Sequence, residues 1–178
     1  ILNDKDEQIP ISQADAKYKR YIGNGAPKHF LSWSNNLTWR NFDLSVFFRG
    51  TFGFDVFNMR KYGMGLQGCG TDNVLRSAYL EDKNIRTGGG VISSYFLEDG
   101  SFIKLENVTL GYNFTPKNRK LLDNMRIYLS AKNLFTLTGY SGNDPSIIDV
   151  NGIQPGVDSN SAYPTATQLS LGVTLRFK

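Results

Sequence analysis

Residues Phe30–Phe54 read "FLSWSNNLTWRNFDLSVFFRGTFGF". In the first part, Leu31, Trp33, Leu37 and Trp39 share one parity, interrupted by Asn35, while Ser32, Ser34, Asn36 and Thr38 share the other. In the second part, Phe42, Leu44, Val46, Phe48, Phe52 and Phe54 fall together, with Gly50 among them. Asp43, Ser45, Arg49, Thr51 and Gly53 fall opposite, with Phe47 as the odd residue. Alternation at period two is the pattern of a strand whose two faces meet different surroundings. Only Arg40-Asn41 separates the two runs, which predicts a tight antiparallel hairpin over about 30–39 and 42–54.

The same pattern recurs three more times. Over about 101–114, "SFIKLENVTLGYNF", the second half sets Val108, Leu110, Tyr112 and Phe114 against Asn107, Thr109, Gly111 and Asn113. Over about 124–135, "NMRIYLSAKNLF", Met125, Ile127, Leu129, Ala131 and Phe135 oppose Arg126, Tyr128, Ser130 and Lys132. Over about 167–177, Leu169, Leu171, Val173, Leu175 and Phe177 oppose Gln168, Ser170, Gly172, Thr174 and Arg176.

The connections alternate in length. Arg40-Asn41 and the short "TPKNRKLLD", with Pro116 and a basic cluster, join the strands within pairs. The long stretches 55–100 and 136–167 join the pairs to each other. In an up-and-down antiparallel sheet all short turns then lie at one edge and all long loops at the other, as in outer-membrane barrels. The strand lengths suit a tilted crossing of a bilayer. The turn-side ends carry Trp39, Phe42, Tyr112 with Phe114, Met125 and Phe177, so four of five are aromatic, as in an interfacial girdle.

Composition narrows the function. The 178 residues carry 20 basic and 16 acidic side chains, a mild excess with no basic run that would track phosphates, so nucleic acid is not an expected partner. The one cysteine, Cys69, and one histidine, His29, leave little from which to build a disulfide, a zinc site or a His-dependent triad. No cofactor and no metal are expected. Mean hydropathy is −0.33, and no apolar run approaches the ~18 residues of a spanning helix. That leaves a barrel open, because its strands hide their apolar residues in alternation. A soluble β-sandwich shares the alternation, so a soluble carbohydrate-binding sandwich stands as the alternative on periodicity alone. The opening "ILNDKDEQIPI" does not read as a natural start, so the chain is expected to be a piece of a longer one.

Four ordered blocks carry a resemblance. "YIGNGAPK" (Tyr21–Lys28) with "NLTWRNFDLSVFFRGTFGFDVFN", "LEDGSFIKLENVTLGYNF" (Leu97–Phe114), "MRIYLSAKNLFTLTGYSGNDPSI", and the closing "YPTATQLSLGVTLRFK" resemble the C-terminal part of SusC/RagA-family TonB-linked outer-membrane transporters. Lys104 stands where that pattern commonly has Arg, Asn143 where it is often aromatic, and Lys178 follows the usual terminal aromatic.

The resemblance implies an all-β, up-and-down transmembrane barrel of about 22 strands, of which these are the last five. Residues 1–28 would be an extracellular loop leading in, and 29–178 the C-terminal barrel segment. It also implies an outer-membrane location and an uptake function without enzyme activity. The implied partners are the plug and remaining strands, TonB, a SusD-like lipoprotein, outer-membrane lipid, and oligosaccharide or peptide cargo. A receptor for iron chelates or cobalamin is the variant reading. Phe42, Leu44, Val46, Phe48, Leu110, Tyr112, Phe114, Leu129, Leu171, Val173, Leu175 and Phe177 would face lipid. Asp43, Arg49, Arg126, Lys132 and Arg176 would face the lumen, because mid-depth charge on the lipid face is costly. Phe177 would be the terminal aromatic that the insertion machinery reads, and the C-terminus would be native.

Other candidates read more simply. Asp144, Asp149 and Asp158, with Asn143, Asn151 and Gly152, lack the full calcium-loop pattern and are expected to form turns. "TGGGV" (Thr87–Val91) follows no strand and is loop, not phosphate cradle. Glu81, Asp82, Glu98 and Asp99 are not a positioned acid and base. "DNVLRSAYLED" (Asp72–Asp82) has a helix pattern with Asp72 as cap. Tyr62, Tyr79, Tyr95, Phe96, Tyr140 and Tyr163 are expected to pack the loops together, with sugar or protein contact as the sharper alternative.

Overall fold

A computed structural model describes residues 21–65, 73–76, 78, 92–116, 121–148, 152–159 and 163–178. Five strands make the main sheet: β1 (His29–Trp39), β2 (Phe42–Phe52), β5 (Phe102–Phe114), β6 (Leu122–Thr138) and β8 (Gln168–Phe177). Their order is β1-β2-β5-β6-β8, every neighbour antiparallel, so the sheet is an up-and-down meander. Between its strands lie β3 (Asp55–Asn58), a short helix α1 (Met59–Met64), β4 (Leu97–Asp99) and β7 (Val157–Asp158). Strands β4, β3 and β7 form a second, small sheet.

The registers join the apolar parities of successive strands into one face. Leu37 lies opposite Leu44, Leu44 opposite Leu110, Leu110 opposite Leu129, and Leu129 opposite Leu171. No second layer covers this face among the described residues. Trp39 keeps 66% of its surface exposed and Leu171 75%. Leu105, opposite Phe48 on this face, is packed down to 8% exposed, but the buried cluster lies elsewhere: Phe54, Val56, Phe102, Tyr140 and Ile148 gather at the loop end. A sandwich would bury the apolar face against a facing sheet. Here the sheet is bare and the core is a crown of loops.

The turn end behaves as its sequence suggests. Arg40 takes the left-handed φ of 52° in the hairpin turn, and its guanidinium lies 5.1 Å from the Trp39 ring. Trp39 stacks near Phe42 at 6.5 Å and Phe42 meets Tyr112 at 4.9 Å, an aromatic run across the turn ends of β1, β2 and β5.

Three departures from the sequence reading have physical causes. Strand β2 stops at Phe52, not Phe54: Gly53 takes a φ of 73°, the chain turns, and Phe54 leaves the apolar face for the crown core. Strand β6 runs longer than expected, from Leu122 to Thr138. The third is a bulge. On β5 the pairing steps from Asn107 to Leu105 and skips Glu106, while on β6 Asn133, with φ 52°, and Leu134 are skipped. The extra residue switches the parity of β5 beyond it. The expected helix over 72–82 falls mostly outside the described residues, as do Cys69, Tyr79, Glu81, Asp82, Asp149, Asn151 and the 87–91 run.

Candidate functional site

Opposite the apolar face, the polar side chains pair with one another. Asp43 on β2 accepts from Arg126 Nε at 3.0 Å and Arg126 Nη2 at 2.5 Å, and from Asn113 Nδ2 at 2.8 Å. Between them on β5 lies Gly111, opposite Asp43 on one side and Tyr128 on the other. A Cβ at Gly111 would sit 2.5 Å from Asp43 Oδ1 and 2.7 Å from Arg126 Nε, so glycine is what lets the ion pair cross the strand. Arg126 also lies 4.9 Å from the Tyr128 ring. Tyr128 in turn covers Gly172 on β8, where a Cβ would meet its ring at 2.3 Å. Large and small residues therefore alternate across four strands, and the side chains lie flat along the wall. Farther along, the Thr109 and Ser130 hydroxyls meet at 3.0 Å and Ser130 reaches Asn107.

The bulge shapes the loop end of this face. Without it, Lys104 would continue the apolar parity of Val108, Leu110 and Tyr112. With it, Lys104 lies directly opposite Arg49, on the polar face. Like charges on one rung repel, and each is neutralised separately. Arg49 Nε donates to Glu106 at 3.1 Å, using the bulged residue itself. Lys104, only 2% exposed, donates to Asp144 Oδ2 at 3.1 Å, Ser146 Oγ at 2.8 Å and Thr165 Oγ1 at 2.8 Å. Thr165 passes its own hydroxyl proton toward Asp144. All three ammonium hydrogens thus have partners, which a buried charge requires. Burial works against the Asp144 carboxylate, yet the donors around it, Thr165, Ser146 and Lys104, hold it below its ordinary value.

The crown above is interlocked. Strand β3 pairs antiparallel with β4 and parallel with β7, so both long loops share one sheet. Tyr140 donates to Asp158 at 2.6 Å, and burial together with that carboxylate pushes its phenol up, so it stays neutral. Glu98 accepts from Ser141 at its backbone and hydroxyl, both at 2.8 Å, and pairs with Lys61 at 3.5 Å. Asn58 caps α1 through Lys61 N at 2.9 Å. Tyr62 and Tyr95 pack edge-on against buried Phe96, each at 5.2 Å. Tyr140 is buried too, whereas Tyr163 is 88% exposed.

Of the predicted turn formers, Asp144 acts as one, whereas Asp158 lies in β7 and accepts from Tyr140; Asp99, read as an unpositioned carboxylate, caps a turn as well. Asp144 Oδ1 accepts from Ser146 N at 2.9 Å, and Asp99 accepts from Ser101 N at 2.9 Å. Among the described residues no group of three His, Cys, Asp or Glu could hold a metal. The residues expected to face lipid all share the bare apolar face: Phe42, Leu44, Val46, Phe48, Leu110, Tyr112, Phe114, Leu129, Leu171, Val173, Leu175 and Phe177. Asp43, Arg49, Arg126, Lys132 and Arg176 share the other. Lys104, Ser146, Thr165 and the two glycines were not singled out as a group. The family pattern does mark Lys104 and the "NDPS" segment, and the structure joins them.

No family model matches the chain. It is 28% identical over 198 aligned residues to TonB-dependent receptor P3 of Formosa agariphila, covering 99% of this chain and 19% of that protein. It is also 28% identical over 153 residues to TonB-dependent receptor SusC of Bacteroides thetaiotaomicron, covering 81% of this chain and 14% of SusC. Among solved structures, the RagAB peptide importer in its closed-closed state matches with a TM-score of 0.74 and 24% identity, over 98% of this chain and 20% of that one. The chain therefore spans between about a seventh and a fifth of the length of these relatives. The resemblance to SusC/RagA transporters is borne out, the fold is part of an outer-membrane β-barrel, and the chain's place is the bacterial outer membrane. Its relatives are receptors and importers, not enzymes.

Proposed function

We propose, from this likeness to TonB-dependent receptors, that the chain is the C-terminal part of the barrel wall of an outer-membrane importer. Residues 29–178 would form the wall and 1–28 an extracellular lead-in. One observation supports this best: a five-stranded antiparallel sheet with a broad bare apolar face, whose buried cluster lies at the loop end among the described residues. Lipid is the medium in which such a face needs no covering layer. The twelve apolar residues named above then face lipid, and Asp43, Arg49, Arg126, Lys132 and Arg176 face the lumen. Both sheet edges need partners, since unpaired backbone in lipid costs several kcal/mol per group. The remaining strands of the parent barrel supply them.

The parent would draw energy through TonB and work with a SusD-like surface lipoprotein. Its cargo would be an oligosaccharide or a peptide; the RagAB neighbour is a peptide importer. Detergent partition of the parent tests the wall: recovery in the aqueous phase without detergent overturns it. A binding panel of glycans and peptides, run on the parent with its neighbouring lipoprotein, tests the cargo. Selective binding of an iron chelate or cobalamin would overturn the cargo reading.

A further inference from the structure

Lys104 holds both legs of the same loop. The segment between β6 and β8 leaves the sheet after Thr138 and returns at Gln168. Asp144 and Ser146 lie on its outgoing leg and Thr165 on its returning leg, and one ammonium reaches all three. The returning leg is also tied to the bulge, where Asn133 Nδ2 donates to the Ala166 carbonyl at 3.2 Å and Thr167 donates to the Asn133 carbonyl at 2.9 Å. Phe102, two residues before Lys104 and on the same face, is 3% exposed in the crown core. The described legs of the loop, 139–148 and 163–167, thus fold over the polar face of the sheet.

We propose that Lys104 is a clamp that fixes the two described legs of the β6–β8 loop, 139–148 and 163–167, inward, as a permanent narrowing of the barrel mouth and not a gate. The inward direction rests on the barrel reading above; the clamping does not. Two devices make it. The bulge at Glu106 turns Lys104 from the apolar to the polar face, and the ammonium then closes the neck of the loop. Removing the ammonium alone would leave the Asp144 carboxylate buried without its cation, which a low-dielectric site resists.

The test uses the full-length parent in outer-membrane vesicles, comparing Lys104→Met, Lys104→Arg and wild type by amide exchange. In Lys104→Met the amides of 144–148 and 163–167 should exchange at least about tenfold faster, because a segment that loses its buried anchor opens locally. Amides of β6 between Leu122 and Ala131 should be unchanged, and Lys104→Arg should restore protection. In a Cys69→Ser, Thr51→Cys background, Lys104→Met should also let a membrane-impermeant thiol reagent added from outside reach residue 51, which is 3% exposed on the polar face at the loop end. Unchanged exchange in the loop overturns the clamp, and so does equal acceleration throughout β5 and β6. Faster loop exchange with no faster labelling of residue 51 overturns the inward narrowing. Failure of the parent to sediment with membranes overturns the barrel reading while leaving the exchange result to judge the clamp.

Discussion

Asp43 and Arg126 are joined over the backbone of Gly111, across a strand that belongs to neither of them. The pair exists because residue 111 has no side chain. Gly111→Ala would place a methyl 2.5 Å from the carboxylate and force both side chains off the wall. The carboxylate and guanidinium are flexible ends that can move, so the cost should be about 1–3 kcal/mol, not loss of folding. Thermal unfolding of the solubilised parent measures it. An unchanged Tm would mean the pair rearranges freely.

Phe48 lies in the middle of β2 on the apolar face, its ring 5.7 Å from that of Trp33. Phe48→Arg should lower outer-membrane levels of the parent, since mid-depth Arg facing lipid costs about 2–4 kcal/mol. Ser45, opposite Thr109 on the polar face, should accept Arg with little effect. Equal surface levels for wild type and Phe48→Arg would refute the assignment of faces.

How much of this was legible follows from the range of each signal. The parity of β8 is local and uninterrupted, and that of β2 is broken only by Phe47 and Gly50, so their faces could be read directly. The bulge could not be read. Its effect is to move Lys104 between faces, and it arises from a mismatch shared by Glu106 on one strand and Asn133 on the next. Phe54 looked like a continuation of β2 because Gly53's left-handed turn leaves no mark on parity. The pairing of Phe57 with Val157 joins segments 100 residues apart, with no local pattern on either side. The wall was therefore legible and the crown was not.

Asp144 gives the crown a pH dependence of known sign. Its carboxyl is held below the ordinary 3.8. A lowered folded value means the ionised form is the one the fold prefers. Its stabilisation is full above about pH 4 and is lost as pH falls through the depressed value. Exchange of the 144–148 amides should accelerate only in that acid window. Asp144→Asn keeps an acceptor for Ser146 N but removes the charge, so its loop exchange should be faster at neutral pH and flat across the same window. A wild-type profile that stays flat below about pH 4 until the whole fold unfolds would contradict the role of the charge.

Gly156 tests whether the crown opens as a unit separate from the wall. It has a φ of 74°, and its carbonyl accepts from Phe57 N at 2.7 Å. A Cβ there would lie 2.5 Å from the Asp55 carbonyl oxygen and 2.6 Å from the Gly25 Cα, both backbone atoms that cannot rotate away. Gly156→Ala combines left-handed strain with overpacking and should cost the crown about 2–4 kcal/mol. The loss should appear as deprotection of the Phe57 amide, where three segments of chain meet: 21–28, β3 and the turn before β7. The wall draws its stability from the strand ladders of β1, β2, β5, β6 and β8, none of which Gly156 touches. Its amides should therefore keep their protection, as expected of distinct cooperative units. If Gly156→Ala instead deprotects β5 and β6 to the same extent as Phe57, crown and wall fold together, and the crown is part of what holds the wall.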